Sequence, residues 1–218
     1  MSLIAPSILN SDFLNLGDSI EMINESKADW IHLDVMDGSF VPNISFGIPV
    51  VQAAKKITKK PLDVHLMIVN PEKYIEDFKN AGADVINVHY EACKEKDLVA
   101  IFKKIGEVGA KPAMAINPDT PIRDIVKYAQ YVDMILVMSV FPGFGGQSFI
   151  ESTYDRVREL KTYLTENGLN TLIQVDGGVS LENIAKLKDC GVDVMVVGSV
   201  IFNAQDSLET ISELKSLV

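Results

Sequence analysis

SKADWIHL at residues 26–33, AGADVINV at 81–88 and CGVDVMVV at 190–197 share one pattern: small and polar residues, an Asp, then an apolar run. A helix that ends, turns tightly and re-enters a parallel strand leaves this trace, and its recurrence marks a repeated β/α unit. Outward from these three, apolar runs of strand length recur as LIAPSIL, WIHLDVM, LDVHLMI, VINVHY, KPAMAI, DMILVMSV, LIQVDGG and DVMVVGS. Their pattern predicts strands starting near residues 3, 29, 61, 84, 111, 133, 171 and 193. Amphipathic stretches between them predict helices over 11–26, 47–58, 71–81, 95–109, 121–129, 149–167, 181–189 and 206–217. The boundary residues agree: Asp12 after Ser11, Pro71 after Asn70, Pro121 after Thr120 and Ser180 at starts, with Gly82, Gly109 and Gly191 just past ends. The expected fold is an α/β (β/α)8 TIM barrel over residues 1–218 as a single domain. An open doubly wound sheet is the alternative, but evenly spaced units in a chain of this length favour closure.

The composition sets limits on function. The chain has 218 residues, 47% of them hydrophobic, and 30 Asp and Glu against 20 Lys and Arg give a formal charge of −10. That excludes disorder and, on average, repels nucleic acid and anionic membranes. A phosphate would have to be held by local groups. No apolar run approaches the roughly 18 to 20 residues of a membrane span, and MSLIAPSILNSDF does not read as a signal peptide, so a cytoplasmic protein is expected. Cys93 and Cys190 lack CxxC spacing and read as small apolar fillers in a reducing compartment.

Two β/α units are longer than the rest. The extra length follows strands two and six and contains MDGSFVPNISF and FPGFGGQ. Loops after the strands form the active face of this fold, and extra length there serves binding. Alternation along a strand turns His32 and Asp34 inward and Ile31, Leu33 and Val35 outward; in the third strand His65 and Met67 share a face. Asp176 closes the seventh strand. These four polar groups are expected at the C-terminal ends of strands two, three and seven. A lone His in an apolar strand is usually a hydrogen-bonded core residue. Two imidazoles and two carboxylates converging at one end instead match a divalent transition-metal site, because buried charges without a partner or metal are costly. His89, after VINV, reads either as a support behind a ligand or as a structural residue.

Met36, Met67 and Met138 also end strands. Each alone is ordinary core filler; three on one rim would keep water from a reactive, electron-rich intermediate. Pro142-Gly143-Phe144-Gly145-Gly146-Gln147 precedes a helix, Gly177-Gly178 follows strand seven and Gly198-Ser199 follows strand eight. Taken alone GFGG is as good a flexible turn as a ligand loop. Beside the other two glycine sites it reads as a phosphate pocket, since glycines let backbone N–H groups approach an anion closely.

Together APSILNSDF, HLDVMDGSFVPNISFG, DVHLM, HYEA, VMSVFPGFGGQSF and VDGGV, in this order from Ala5 to about Phe202, resemble the ribulose-phosphate 3-epimerase family. The resemblance implies interconversion of D-ribulose 5-phosphate and D-xylulose 5-phosphate in the pentose phosphate pathway. It also implies one divalent metal ion per subunit (zinc, iron, manganese or cobalt) and a homo-oligomer. By matching positions, His32, Asp34, His65 and Asp176 are the implied metal ligands and Asp34 and Asp176 the acid/base pair. The implied substrate contacts are Ser7, His65, Gly143, Phe144, Gly145, Gly146, Gly177, Gly178, Gly198 and Ser199, with Met36, Met67 and Met138 capping the cis-enediolate. Inverting C3 needs a proton removed from one face and returned to the other, which suits two carboxylates arriving from different strands. Ser39 and Phe141 depart from the family pattern, Phe141 by removing a polar side chain near the phosphate loop. Epimerisation of D-allulose 6-phosphate is the alternative, but similar sequences of that kind tend to read GFAGQ and VDGS where this chain reads GFGGQ and VDGG. A non-catalytic phosphosugar binder on the same fold is the other class, and it would have no need of opposed carboxylates.

Overall fold

The computed structural model describes residues 2–218, so Met1 of the expected unit lies outside it. Eight parallel strands form one sheet: β1 (Leu3–Pro6), β2 (Ile31–Met36), β3 (Leu62–Met67), β4 (Val85–His89), β5 (Lys111–Ile116), β6 (Met134–Met138), β7 (Leu172–Asp176) and β8 (Val194–Val197). From β2 to β8 each strand pairs with the next in sequence, and β1 pairs with β8, so the sheet curls into a barrel. The seam between β1 and β2 is the thinnest part. It is closed by a Ser7–His32 bridge and by the Asp29 and Trp30 N–H groups, which donate to the Ile4 carbonyl at 2.9 and 3.3 Å.

Helices α1 (Leu16–Glu25), α2 (Ile48–Ile57), α3 (Ile75–Ala81), α4 (Leu98–Glu107), α5 (Ile122–Ile125), α6 (Thr153–Glu166), α7 (Ile184–Cys190), α8 (Ser199–Phe202) and α9 (Ser207–Ser216) surround the strands. Outward residues such as Leu33, Val64, Ile86, Val137 and Val175 form the main core with the helices. A sheet covered on both faces needs this aliphatic set. On α4 the core face is Leu98, Ile101, Phe102 and Ile105, the spacing of one helical stripe, and burying each such side chain contributes about 1.5–3 kcal/mol. Gly82 and Gly191 end α3 and α7 in the left-handed conformation that a side chain would resist.

The helices expected over 11–26, 71–81 and 95–109 open with 3-10 turns and become α-helical at Leu16, Ile75 and Leu98, and two further expectations change. The 121–129 segment holds a single α-turn followed by a 3-10 stretch, Val126–Tyr131. There the buried Tyr128 docks against Phe102 and Tyr90, and the tighter winding carries the chain to β6. Strand β8 is followed by the short α8 before α9, an element too short for periodicity to reveal.

Inside the barrel Ala5, Val85, Ala113, Met134, Val194 and Val196 form an apolar cluster. Toward the strands' C-terminal ends the inward positions become polar. Their depth is set by stagger: Ser7, one residue past β1, is level with His32, the second residue of β2, and Asp34 is level with His65. His32 and His65 therefore stand second and fourth in their strands, not at the C-terminal ends that the sequence pattern predicts. The shear that closing a barrel requires lifts them to the level of Ser7 and Asp176. Both cysteines are free, Cys190 buried and Cys93 half-buried.

Candidate active site

Strands β2, β3 and β7 bring His32, Asp34, His65 and Asp176 together, one donor atom of each lying within 4.8 Å of the others. His32 Nε2 is 3.3 Å from Asp34 Oδ1 and 3.8 Å from Asp176 Oδ2, while His65 Nδ1 is 3.1 and 3.9 Å from the same two atoms. Donors held at about 2.1 Å from one metal ion are spaced in this way. The structure supplies a test of fit. His32 Nε2 is fully buried and makes no aligned hydrogen bond, although buried polar atoms are rarely left so. It lies within 4 Å of a carboxylate oxygen of both Asp34 and Asp176. Two nitrogens and two carboxylate oxygens suit a divalent transition metal, so the cluster could hold one.

The far side of each ring is anchored. His32 Nδ1 is 2.8 Å from Asp63 Oδ2, to which Gln174 Nε2 also donates at 2.6 Å; Asn87 Nδ2 in turn donates to Gln174 at 3.2 Å. His65 Nε2 is 2.8 Å from His89 Nε2, and His89 Nδ1 is 3.0 Å from Glu91 Oε2. The Ser7 hydroxyl donates to Asp34 Oδ2 at 2.5 Å. Asp63, Gln174 and Glu91 were missed from sequence, yet a signal existed: Asp63 shares the inward parity of His65, and Gln174 that of Asp176. Glu91 follows two residues after His89 in HYEA.

The two carboxylates are driven apart. Burial pushes Asp34 up, but the charge of His32 and hydrogen bonds from both histidines outweigh it and hold Asp34 well below the usual carboxylate range. Burial and the neighbouring Asp34 charge push Asp176 up to about 7. Burial opposes a charge on His32, yet Asp34 and Asp63 raise its pKa well above the ordinary histidine value, whereas burial lowers that of His65. Metal at His32 Nε2 would take the place of that proton. Two neighbouring carboxyl groups whose environments favour opposite protonation states suit acid/base chemistry.

Above the cluster opens a cavity lined by Ser7, Asp34, Met36, Met67, Met138, Asp176, the 142–147 loop, Gly177, Gly178, Gly198 and Ser199. The three methionines are the last residues of β2, β3 and β6. His65 does not line this cavity: its ring is fully buried with both nitrogens engaged, which leaves it facing the ligand cluster and not the cavity. No Lys or Arg lines it either, so an anion here would rest on backbone N–H groups. The glycines are there because the chain passes close. A Cβ on Gly177 would meet the Val140 backbone nitrogen at 2.9 Å, and one on Gly178 the Phe149 nitrogen at 2.7 Å, both at positive φ. Asn10, also missed from sequence, lines the cavity and fills the space that a Cβ on Gly145 or Gly198 would need. Ser39 and Phe141 lie outside the lining, while Ser139 donates from its hydroxyl to the Asp176 and Gly177 carbonyls at 2.7 and 2.6 Å.

Comparison with known proteins identifies the family. The model of the ribulose-phosphate 3 epimerase family matches residues 3–202. The chain is 48% identical to the ribulose-phosphate 3-epimerase of Synechocystis sp., covering 98% of this chain and 93% of that one. It is 43% identical to the ribulose-phosphate 3-epimerase of Bacillus subtilis, with 97% of each covered. In fold alone it is similar to KGPDC from Streptococcus mutans, with a TM-score of 0.75 at 11% identity over 100% of this chain and 97% of that one. A match over most of the length, by relatives this similar, means that the chain belongs to the ribulose-phosphate 3-epimerase family and is an epimerase.

Proposed function

We propose that the protein interconverts D-ribulose 5-phosphate and D-xylulose 5-phosphate by two-base proton transfer at C3 through a cis-enediolate, with one site per chain. The observation that carries this reading is the meeting of Asp34 and Asp176, from β2 and β7, at one cavity beside His32 and His65. The substrate's phosphate rests on the N–H groups around Gly145, Gly146, Gly178, Gly198 and Ser199, which places its carbon chain over the two carboxylates. One of the two side chains takes the C3 proton from one face and the other gives a proton to the opposite face. In the reverse direction they exchange roles. Ser7 holds Asp34 in place, and Met36, Met67 and Met138 keep water off the electron-rich intermediate.

His32 Nε2, His65 Nδ1, Asp34 and Asp176 would hold a single zinc, iron, manganese or cobalt ion. Such an ion supplies Lewis-acid stabilisation of charge developing on the oxygens beside C3. The reading of GFGGQ and VDGG, and the names of the relatives, favour the pentulose phosphate over D-allulose 6-phosphate. A cytoplasmic homo-oligomer belongs to the same reading. Among the described residues no helix is long and apolar enough to cross a membrane. Light scattering on the purified protein would measure the self-association.

The test is an NMR time course in D2O with ribulose 5-phosphate. The expected result is xylulose 5-phosphate carrying solvent deuterium at C3, lost on chelation and restored by divalent metal. No product and no exchange from folded, metal-loaded protein would overturn the reading.

A further inference from the structure

Behind the ligand cluster a line of hydrogen bonds runs from His65 to the connection between β5 and α5. His65 and His89 stack with ring centroids 4.9 Å apart, and their Nε2 atoms are 2.8 Å apart. Two nitrogens at that distance share one proton, so one ring donates and the other accepts. The far end decides which. Glu91 Oε1 accepts from the Asn117 backbone N–H at 2.8 Å and from the Thr120 hydroxyl, and Glu91 Oε2 faces His89 Nδ1 at 3.0 Å. A carboxylate only accepts, so His89 carries its proton on Nδ1, and its bare Nε2 must accept from His65. In the metal-free protein Asp34 Oδ1, 3.1 Å away, draws a proton to His65 Nδ1 as well; with metal in place of that proton, His65 keeps its proton on Nε2 and offers Nδ1 to the ion. Phe40 covers His89 at 4.8 Å between centroids, and both imidazoles are fully buried.

We infer that His89 and Glu91 are positioning residues that set His65 as an Nδ1 donor to metal, so that the connection after β5 governs the metal affinity of a site built on β2, β3 and β7. His32 is set the opposite way, since Asp63 occupies its Nδ1 and leaves Nε2 facing the cluster. This inference rests on the metal-site reading above.

The Glu91→Gln variant reverses the line. The fixed Asn117 N–H holds the amide oxygen on its side, so the amide NH2 faces His89 Nδ1, and His89 then carries its proton on Nε2. Two donors would oppose each other between His89 and His65, which favours the His65 tautomer protonated on the metal-facing nitrogen. Zinc titration against a chelating dye should show one zinc per chain in the wild type and a dissociation constant 10- to 100-fold higher in Glu91→Gln. A second measurement needs no variant: 15N–1H spectra of zinc-loaded, histidine-labelled wild type should show ring protons on His65 Nε2 and His89 Nδ1. Equal zinc affinity in wild type and variant, or a proton on His89 Nε2 in the loaded wild type, would overturn the inference and leave the metal site standing. Folded wild type that takes up no zinc would overturn the metal-site reading and this inference together.

Discussion

Asp63 holds His32: its Oδ2 lies 2.8 Å from His32 Nδ1, and both side chains are fully buried on neighbouring strands in register. The same oxygen accepts from Gln174 across the barrel, so the imidazole's orientation is decided by β3 and β7 jointly. Asp63→Asn keeps the shape but loses an acceptor-only group. It should weaken zinc binding about 10- to 100-fold while the folded protein persists, as read by metal titration alongside circular dichroism. Unchanged affinity would make Asp63 a packing residue only.

Asp176→Asn removes one of the two proton carriers and leaves the amide in the same place. Turnover on ribulose 5-phosphate should fall at least about 100-fold in metal-loaded protein, with the larger change in kcat. Near-normal kcat would rule out the two-base assignment.

Gly178 has φ +62, and a Cβ there would sit 2.7 Å from the Phe149 backbone nitrogen. Gly178→Ala should therefore cost about 1–2 kcal/mol from the left-handed conformation alone, with more from displacing the loop before α6. Since that loop lines the cavity, KM for the phosphosugar should rise several-fold in the same variant. Urea unfolding and steady-state kinetics read the two effects separately.

Cys93 gives a pH-dependent outcome. Burial, then the charges of Glu72, Glu91 and Asp97, push its thiol up to about 12, so the reactive thiolate forms only as the pH rises toward that value. At pH 8 iodoacetamide should label Cys93 in the folded protein on the order of a hundredfold more slowly than in urea. Equal rates would show a thiol far more accessible than this packing allows.

Chain-local pattern carried much of this protein. Apolar runs broken by Asp and Gly placed the eight strands within a residue or two, and period-two alternation turned His32, Asp34, His65 and Asp176 to the inside. Both signals arise within single elements, where the backbone alone sets which way a side chain faces. Depth along the barrel is another matter. It depends on the stagger between strands, a closure condition that no one strand contains, and so His32, the second residue of β2, pairs with Ser7 and comes within 3.8 Å of Asp176. The nitrogen each histidine presents depends on partners far off in sequence: Asp63 and Gln174 for His32, His89 and Glu91 for His65. Asn10 against Gly145 and Gly198 is likewise a contact between loops that meet only once the barrel closes. Facing is a property of each strand in the sequence; level, tautomer and contact follow from tertiary packing, because they are set by neighbours that folding brings within hydrogen-bond reach.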